Sequence, residues 1–467
     1  MAITGKLICS LTLAASALLA QAPSSLIRLN VAALDSSGQP VEDLKAADFQ
    51  VTDQGKAQPV VFFRRNAPAA PAAALAPHEF SNRTGAAPHT TVILFDLLNQ
   101  NQTDRLDAWH KVGHSLQQLE SGDSVYLYLL ALEGNLIPIH EIGSKAGDDK
   151  TWTQTAEKTL DKAMKAASHA LPIQMKDQEL VVKKTYVALE TLATQLAVFP
   201  GQRDIVWITS STPNIWNTKN PCNGDWVDCA LYVPHLAVTL STANVAVNPL
   251  TYTGSPSPEL NRDMEIVSFL TGGTSFFSED IRSVLKALAR DAASSYSIFY
   301  NPPADNWDSK FHKLRITTER KGLKLRVKQR YYALPRPDAG QLALRAAFQS
   351  PLDDPGIGLR VTASPGAGTV HLEIRVNAAD LMLHEEGDSF TGGVTFLVAD
   401  RSAAGPVGDP VISGSAIKLT REQLATAMKD GLPIVQDHPI TNAIQTLRVI
   451  VLDQGSNIAG SLTIPAR

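Results

Sequence analysis

The chain has 467 residues, more than one ordinary domain holds, so we expect two to four domains. Apolar residues make up 44% and charged residues 19%, which is typical of globular proteins with several buried cores. The formal net charge of −4 excludes the strongly basic character that is typical of nucleic-acid-binding proteins. With 3 Cys and 11 His, the chain is poor in soft metal ligands.

The first residues are predicted to be an export signal, residues 1–22. The short apolar stretch LICSLTLAASALLA ends at Ala20, and Ala20-Gln21-Ala22 offers small residues for cleavage. The stretch is shorter than the roughly 20 residues that a comfortable bilayer span needs. We therefore expect an exported protein, periplasmic or extracellular, with no integral membrane span after cleavage. An uncleaved anchor is the alternative.

Residues 23–66 are predicted to form a small β domain. The phrase IRLNVAALD is typical of a strand, and DFQVTDQGKAQPVVFF is typical of a hairpin that turns at Asp53-Gln54-Gly55. Residues 67–88 are rich in Ala, Pro and small polar residues and lack any core pattern, so we predict a linker.

Strands and helices alternate from residue 89, which predicts an α/β domain over residues 89–334 with a mostly parallel sheet covered on both faces. The predicted strands occupy 91–95, 125–132, 136–142, 204–209, 245–248, a short segment after Gly273, 295–300, 311–318 and 323–330. The predicted helices occupy about 104–121, 155–170, 178–198, 231–242 and 279–292.

The last part of the chain, residues 335–467, is predicted to be a β-sandwich domain. Five phrases alternate apolar and polar residues with period two, and one short helix near residues 421–428 interrupts them. The five phrases are LRVTAS, VHLEIRVNA, GGVTFLVAD, LRVIVLD and AGSLTIPA. The predicted fold class is therefore multidomain α/β plus β.

The candidate catalytic motifs are all incomplete. His110 and His114 are four residues apart, but the Glu of a zinc-protease H-E-x-x-H motif is missing. Ser283 and Lys286 form S-x-x-K without an accompanying K-T-G, and no G-x-S-x-G elbow occurs. We predict that the protein is not an enzyme. A secreted hydrolase with an unrecognised site is an alternative that only the predicted export motivates.

The segment STPNIWNTKNPCNGDWVD, residues 211–228, follows the strand DIVWIT and is expected at the carboxyl edge of the sheet, where open α/β sheets bind ligands. Its Trp216 and Trp226 suit a protein interface, although both could instead pack the loop onto its own domain. In an oxidising compartment we expect a disulfide between Cys222 and Cys229, with two free thiols as the alternative.

Several phrases follow one another in a recognisable order: DLKAADFQVTDQGKAQ, TVILFDLLNQ, ESGDSVYLYLLA, PGQRDIVWIT, LTGGTSFF, SYSIFYNPP and LRVIVLDQGSNIAGSLTIP. Their order and spacing resemble the von Willebrand factor type A-related proteins of the acidobacterial type. The resemblance covers nearly the whole mature chain. It implies a Rossmann-like type A domain between the flanking β regions.

The resemblance also implies where a metal-ion-dependent adhesion site would lie. Many type A domains hold the metal with an acid-x-Ser-x-Ser loop, a Thr from a second loop and an Asp after the fourth strand. Asp96 matches the acid, whereas Leu98 and Gln100 stand at the serine positions and Ser210 at the Asp position. Asp96 is therefore the one position carried over as a candidate Mg²⁺ ligand. Mg²⁺ prefers several oxygen ligands, and the side chain of Leu98 supplies none.

We predict an exported, non-enzymatic binding or adhesion-type protein that engages a protein or a cell-surface polymer, and no nucleic acid, at the carboxyl edge of the sheet. The predicted partner-binding residues are Asp96, Asn99, Gln100, Ser210, Trp216 and Trp226. Asp96 is expected to accept hydrogen bonds from backbone N–H groups of its own turn, which leaves the following amides free to meet a partner. A Mg²⁺-dependent adhesion domain with a modified metal site is the alternative function.

Overall fold

The computed structural model describes residues 26–66, 75–83, 89–100, 102–116, 124–142, 151–169, 178–211, 229–252, 258–335, 338–402, 405–440 and 444–466. The predicted signal peptide, Trp216, Trp226 and Cys222 lie outside the described residues, and only the backbone of Cys229 is described. The predicted disulfide therefore stays a prediction. Within the described ranges, no helix is long and apolar enough to cross a membrane.

Five strands form the first part of the described chain: β1 (Ile27–Leu34), β2 (Phe49–Asp53), β3 (Lys56–Gln58), β4 (Val60–Asn66) and β5 (Glu79–Ser81). Strands β2 and β3 pair antiparallel, which confirms the predicted hairpin. The turn between them places Gln54 and Gly55 at φ angles of 48° and 80°. Two consecutive positive φ angles match the right-handed twist of the flanking strands.

Helices and strands then alternate. In chain order the elements are β6 (His89–Asp96), α1 (Gln102–Leu116), β7 (Val125–Leu130), β8 (Leu136–His140), α2 (Thr151–His169), α3 (Gln178–Leu196), β9 (Gln202–Ile208), α4 (Cys229–Thr242), β10 (Val245–Thr251), α5 (Pro258–Thr271), β11 (Phe276–Phe277) and α6 (Ile281–Ala293). Helix α5 was not predicted, although its buried Met264, Val267 and Leu270 recur at helical spacing.

One six-stranded sheet, in the order β11-β10-β9-β6-β7-β8, organises this region. All neighbouring pairs are parallel apart from the antiparallel pair of β7 and β8. Successive residues of β6 point to opposite faces, so Leu94 joins the apolar cluster that contains Leu189, whereas Phe95 joins the cluster that contains Leu285. The structure thus confirms a mostly parallel sheet with both faces covered.

The next four strands are β12 (Ser295–Tyr300), β13 (Phe311–Thr318), β14 (Lys324–Arg326) and β15 (Arg330–Tyr332). They pair with the N-terminal strands in two antiparallel sheets, in the orders β14-β1-β12-β4 and β15-β13-β2-β3. The structure therefore differs from the predicted boundaries, which placed residues 295–334 in the α/β domain and residues 23–66 in a separate β domain. The two segments alternate strand by strand in the first sheet, and in the second sheet β13 of one segment pairs with β2 of the other.

A buried carboxylate ties these two segments together. Asp53, at the end of β2, lies with Oδ1 3.0 Å from Nδ1 of His312. Its Oδ2 accepts hydrogen bonds from the hydroxyls of Tyr331 and Tyr300, at 2.8 and 3.1 Å, and from the amide of Asn306 at 3.0 Å. All of these partners come from the second segment, so Asp53 stabilises the pairing of distant parts of the chain.

The remaining elements are α7 (Ala339–Gln349), β16 (Leu359–Pro365), β17 (Thr369–Val376), β18 (His384–Glu386), β19 (Ser389–Ser402), β20 (Gly405–Thr420), α8 (Arg421–Asp430), β21 (Leu432–Pro439), β22 (Thr446–Asp453) and β23 (Ala459–Pro465). The strands form two antiparallel sheets, β21-β17-β16-β5 and β18-β19-β22-β23, and β20 pairs with β19. Both sheets contribute to one apolar cluster. Helix α8 confirms the predicted helix, whereas α7 was not predicted; it packs Ala347 and Phe348 against Leu397 and Ile450.

Part of the predicted linker belongs to this C-terminal region. Strand β5 pairs antiparallel with β16, and Phe80 packs against the shared apolar cluster. The buried side chain of Asn82 donates to the carbonyls of Asp354 and Ile357, at 2.7 and 2.8 Å, and accepts from Leu359 N–H at 2.8 Å. Residues 75–83 are therefore held by one apolar side chain and by the polar contacts of Asn82, which together leave no hydrophobic pattern in the sequence.

Candidate functional site

Asp96 lies at the carboxyl edge of the six-stranded sheet. It is the last residue of β6, next to the end of β9 at Ile208. Strands β6 and β9 are parallel, so the segments that follow them leave the sheet at the same edge. The side chain of Asp96 is 0% exposed, and this placement agrees with the position predicted for it.

Three N–H groups surround the Asp96 carboxylate. The backbone N–H of Asn99 donates to Oδ1 at 3.0 Å, and the Asn99 amide donates to Oδ2 at 2.7 Å. The indole N–H of Trp207 also donates to Oδ2, at 2.8 Å. The expected bond from the backbone of its own turn is confirmed by the Asn99 contact. Asp96 therefore organises the turn of residues 97–100.

Burial raises the pKa of Asp96 from its ordinary value of 3.8 to about 6. The hydrogen bonds from Asn99 and Trp207 oppose this rise, because they favour the charged form of the carboxyl group. Desolvation is the larger effect, since no bulk solvent reaches the side chain.

Asn99 joins three segments of the chain. Besides its bonds to Asp96, its amide donates to the hydroxyl of Thr185 in α3 at 2.8 Å. Its backbone carbonyl accepts from the hydroxyl of Ser211 at 2.8 Å and from that of Ser210 at 3.5 Å. The turn after β6, helix α3 and the chain after β9 are thus held in one hydrogen-bonded unit.

Gln100 completes the link between β6 and β9. Its amide donates to the carbonyl of Ile208 at 2.8 Å. Its Oε1 atom is buried and has no hydrogen-bond partner among the described residues. An unsatisfied buried acceptor costs about 1–3 kcal/mol, so this oxygen is a position where an added donor would stabilise the site.

The amides of the turn are not free to meet a partner, which corrects our expectation. Asn99 is 6% exposed and Gln100 is 5% exposed, and both amides donate to groups of the chain itself. Leu98 packs against the apolar cluster on one face of the sheet. Asn99 turns inward because the buried Asp96 carboxylate needs N–H donors, and Gln100 turns inward to the carbonyl of Ile208. Of the neighbouring polar residues, Ser210 is less buried and Ser211 is exposed.

The contacts of Asp96 do not fit a Mg²⁺ site. Mg²⁺ needs oxygen atoms in near-octahedral geometry, whereas both carboxylate oxygens face N–H donors from Asn99 and Trp207. Burial lowers the pKa of Arg105, and attraction to the Asp96 carboxylate opposes this shift. Within the described part of the chain, no group of three or more His, Cys, Asp or Glu side chains is placed to hold a metal ion.

Sequence reasoning missed two residues of this site, Trp207 and Thr185, whereas Ser211 begins the segment that was predicted at this edge. Trp207 had a detectable signal, because an indole N–H in a fully buried strand needs an acceptor and the adjacent strand ends in a carboxylate. Thr185 lies in the middle of a helix, and no local pattern brings it to Asn99. Trp216 and Trp226, which were predicted at this edge, lie outside the described residues.

Comparisons with known proteins give neither a family nor a function. No family model matches the chain, and no curated protein matches it. Solved structures that match include the N-terminal domain of TFIIH p34, with 14% identity over 44% of this chain and 97% of that chain and a TM-score of 0.25. Manganese-loaded Plasmodium vivax TRAP protein matches with 11% identity over 54% of this chain and 95% of that chain, and human Sec24c, a COPII-coat protein, with 10% identity over 57% and 47%, each at a TM-score of 0.28. At these TM-scores the likenesses support no assignment.

Proposed function

We propose that this chain is an exported, non-enzymatic binding protein of the adhesion type. In this proposal a von Willebrand factor type A-like α/β domain and a C-terminal β-sandwich form the scaffold, and a protein or cell-surface polymer binds at the carboxyl edge of the six-stranded sheet. The observation that supports it is the hydrogen-bonded unit in which Asn99 joins Asp96, Thr185 and Ser211.

The buried and exposed residues of this edge would have different roles. Asp96, Asn99 and Gln100 would position the loops, because their side chains are used inside the protein. Contact would come from Ser211, which is exposed, and from Trp216 and Trp226 in the segment that follows it. A loop anchored in advance loses less conformational entropy on binding, so a rigid base favours affinity.

The geometry at Asp96 gives little support to the hydrolase alternative. A general acid or base must come within hydrogen-bond distance of the reacting group. The Asp96 carboxyl group is fully buried, and both of its oxygens accept hydrogen bonds from the protein. A pKa of about 6 would suit acid–base chemistry, but the group has no surface through which to perform it.

Binding of the labelled full chain to cell-envelope material of the producing organism tests the proposal. We expect Trp216→Ala and Trp226→Ala each to weaken binding about tenfold or more, as truncation of an aromatic hot spot does. Val435→Ala is the matched control, because Val435 is an exposed apolar side chain on β21, in a different sheet. Unchanged binding of the double tryptophan variant would contradict the proposed contact surface.

The Mg²⁺-dependent alternative is distinguished by thermal melting. A ligand that binds only the folded state raises the melting midpoint, so a resident Mg²⁺ site would separate samples in EDTA from samples in excess Mg²⁺. We expect equal midpoints, because N–H donors occupy the Asp96 oxygens. A Mg²⁺-dependent rise that disappears in Asp96→Asn would favour the alternative function.

A further inference from the structure

A cavity of about 660 Å³ lies far from Asp96. It is bounded by three regions of the chain: the α/β region, the two sheets that β1 to β4 form with β12 to β15, and the C-terminal region. One wall is the start of β9 with the residues before it, at the amino edge of the six-stranded sheet. The second wall comes from β1 and β4, and the third from α7 and residues 350–356. Ligand pockets commonly have volumes of about 300–1,000 Å³ and lie between domains.

The charged side chains that line this cavity are almost all basic. The acidic one is Asp354. The basic ones are Arg28, Arg64, Arg83, Arg203, Lys328 and Arg345. A cavity lined by charges of one sign focuses its electrostatic potential and attracts counter-ions. The cavity therefore has the electrostatics of an anion site.

Two of the arginines are already paired with a carboxylate outside the lining. Arg83 donates to Asp380, and Arg64 lies 3.9 Å from the same carboxylate. Asp380 is itself buried and accepts a hydrogen bond from Gly358 N–H at 2.8 Å. This pairing leaves Asp380 with no capacity to neutralise the other arginines of the cavity.

Arg28 and Arg203 are held by neutral groups alone. Arg28 donates to the amide oxygen of Asn30 and the hydroxyl of Ser297, both at 3.2 Å. Arg203 donates to two backbone carbonyls, those of Phe199 at 2.5 Å and Ala243 at 2.7 Å. Neither guanidinium forms an ion pair with a carboxylate of the described residues, and Asp354 attracts both without direct pairing.

The electrostatics of these arginines show the cost of this arrangement. Burial, followed by repulsion from Arg64 and Arg203, lowers the pKa of Arg28 to about 9. Burial lowers the pKa of Arg203 to about 10, and Asp354 opposes the shift in both residues. Desolvated like charges destabilise the fold unless a counter-charge joins them.

The charges that line the cavity indicate the kind of ligand that it would bind. Four guanidinium groups, those of Arg28, Arg64, Arg83 and Arg203, exceed the carboxylates of Asp354 and Asp380 by two charges, and Lys328 and Arg345 raise this excess to +4. A phosphate monoester carries about −1.5 to −2 charges at neutral pH, and guanidinium groups match its oxygens with paired N–H donors. The remaining lining is partly apolar and includes Phe299, Leu342 and Ala343.

We propose that this cavity binds a small organic phosphate, with the phosphate group between Arg28 and Arg203 and an apolar body against the wall formed by α7. The binding is independent of the surface at the carboxyl edge. Such a ligand would contact all three regions of the chain, so its presence would stabilise their arrangement.

Isothermal titration of the full chain with phenyl phosphate at constant ionic strength tests the proposal. We expect phenyl phosphate to bind at least about tenfold more tightly than inorganic phosphate, which lacks the apolar body, and than benzoate, which carries one charge. No binding of phenyl phosphate would overturn the proposal. Equal affinity for inorganic phosphate would overturn the apolar body, and equal affinity for benzoate would overturn the requirement for a dianion.

Variants locate the site. Arg28→Gln and Arg203→Gln are each expected to weaken phenyl phosphate binding about tenfold or more, as loss of a guanidinium contact with phosphate does. Arg421→Gln is the control, because Arg421 is 76% exposed on α8 and does not line the cavity. Wild-type affinity in the Arg28→Gln/Arg203→Gln double variant would overturn the placement.

A measurement on the unaltered chain covers the case in which a variant fails to fold. Phenylglyoxal modifies accessible guanidinium groups, and mass spectrometry identifies the modified residues. We expect phenyl phosphate to protect Arg28 and Arg203 and to leave the modification of Arg421 unchanged. Equal modification of Arg28 and Arg203 with and without phenyl phosphate would contradict the proposed site.

Discussion

At the scale of single residues, the buried charge of Asp96 determines the local structure. A carboxylate that is 0% exposed needs donors, and it takes them from Asn99 and Trp207. The same need turns Asn99 inward and makes it the link to Thr185 and Ser211. The site is therefore built by satisfying one charge.

The pH dependence of stability should report the burial of Asp96. Its folded pKa of about 6 lies above the ordinary 3.8, so the folded state binds the proton more tightly. The stabilisation that this gives is complete below about pH 4 and is lost as the pH rises to about 6, a loss of about 3 kcal/mol. In Asp96→Asn this decline should be missing.

Urea unfolding between pH 4 and pH 7 measures this effect as the difference between the wild-type and variant proteins. Asp305→Asn is the control; Asp305 is an exposed carboxyl residue, and its variant should keep the wild-type decline. A constant difference between wild type and Asp96→Asn across the range would show that Asp96 has no raised pKa.

The hydrogen bond between Trp207 and Asp96 can be isolated by a double-mutant cycle. The variants Trp207→Phe and Asp96→Asn, alone and combined, should show a coupling free energy of about 1–3 kcal/mol, since the acceptor is charged and buried. Trp109 provides the matched control, because its indole N–H has no hydrogen-bond partner among the described residues. The cycle of Trp109→Phe with Asp96→Asn should give a coupling near zero, and equal couplings in the two cycles would contradict the bond.

At the scale of elements, periodicity predicted most of the strands and helices of the α/β region. The sequence patterns of strand β6 and helix α3 were recognisable. The apolar residues of β6 lie on both faces of the strand, and those of α3 recur at helical spacing. Helix α7 and strand β5 were missed for different reasons. Helix α7 follows a proline-rich phrase and reaches only a small apolar cluster, whereas β5 is three residues long and is held by Asn82.

Asn82→Ala should release strand β5 from the C-terminal sheet. The change removes two buried hydrogen bonds and one partly buried hydrogen bond, and it leaves backbone groups of Asp354, Ile357 and Leu359 without these partners, at a cost of about 3 kcal/mol. Chymotrypsin cleavage after Phe80 should therefore become faster, because proteolysis follows local opening.

Asn377→Ala is the comparison for this experiment. The side chain of Asn377 accepts one local hydrogen bond, from Ala379 N–H at 3.1 Å. Its replacement should leave cleavage after Phe80 at the wild-type rate. If Asn82→Ala is cleaved no faster than Asn377→Ala, the side chain of Asn82 does not hold β5 in place.

At the scale of the whole molecule, the chain is interleaved. Strands β1 to β4 complete two sheets with β12 to β15, although the entire α/β region lies between them in sequence. Strand β5 reaches the C-terminal region in the same way. The arginine-lined cavity lies where these regions meet, so its composition depends on the interleaving.

Fragments of the chain should show this interleaving directly. A fragment of residues 89–335 keeps β12 to β15 without their partner strands, and unpaired strand edges promote aggregation. We expect it to aggregate or elute as an expanded species, whereas residues 26–335 should elute as a compact species with a cooperative melting transition.

A third fragment separates missing strands from general instability. Residues 89–293 contain the complete six-stranded sheet and end after α6, so they lack the unpaired strands. This fragment should be more soluble than residues 89–335 despite being shorter. Cooperative melting of the 89–335 fragment equal to that of the 26–335 fragment would contradict the interleaved assignment.

The sequence by itself determined the local elements and the position of Asp96, because periodicity, turn residues and a buried strand that ends in an acid are local signals. Only the tertiary structure decided which distant strands pair, that Asn99 and Gln100 face inward, and that Arg28 and Arg203 share a cavity. The physical reason is that pairing partners and the satisfaction of buried charges depend on residues far apart in the chain. Asn99 and Thr185 are 86 residues apart, and no local pattern records their contact.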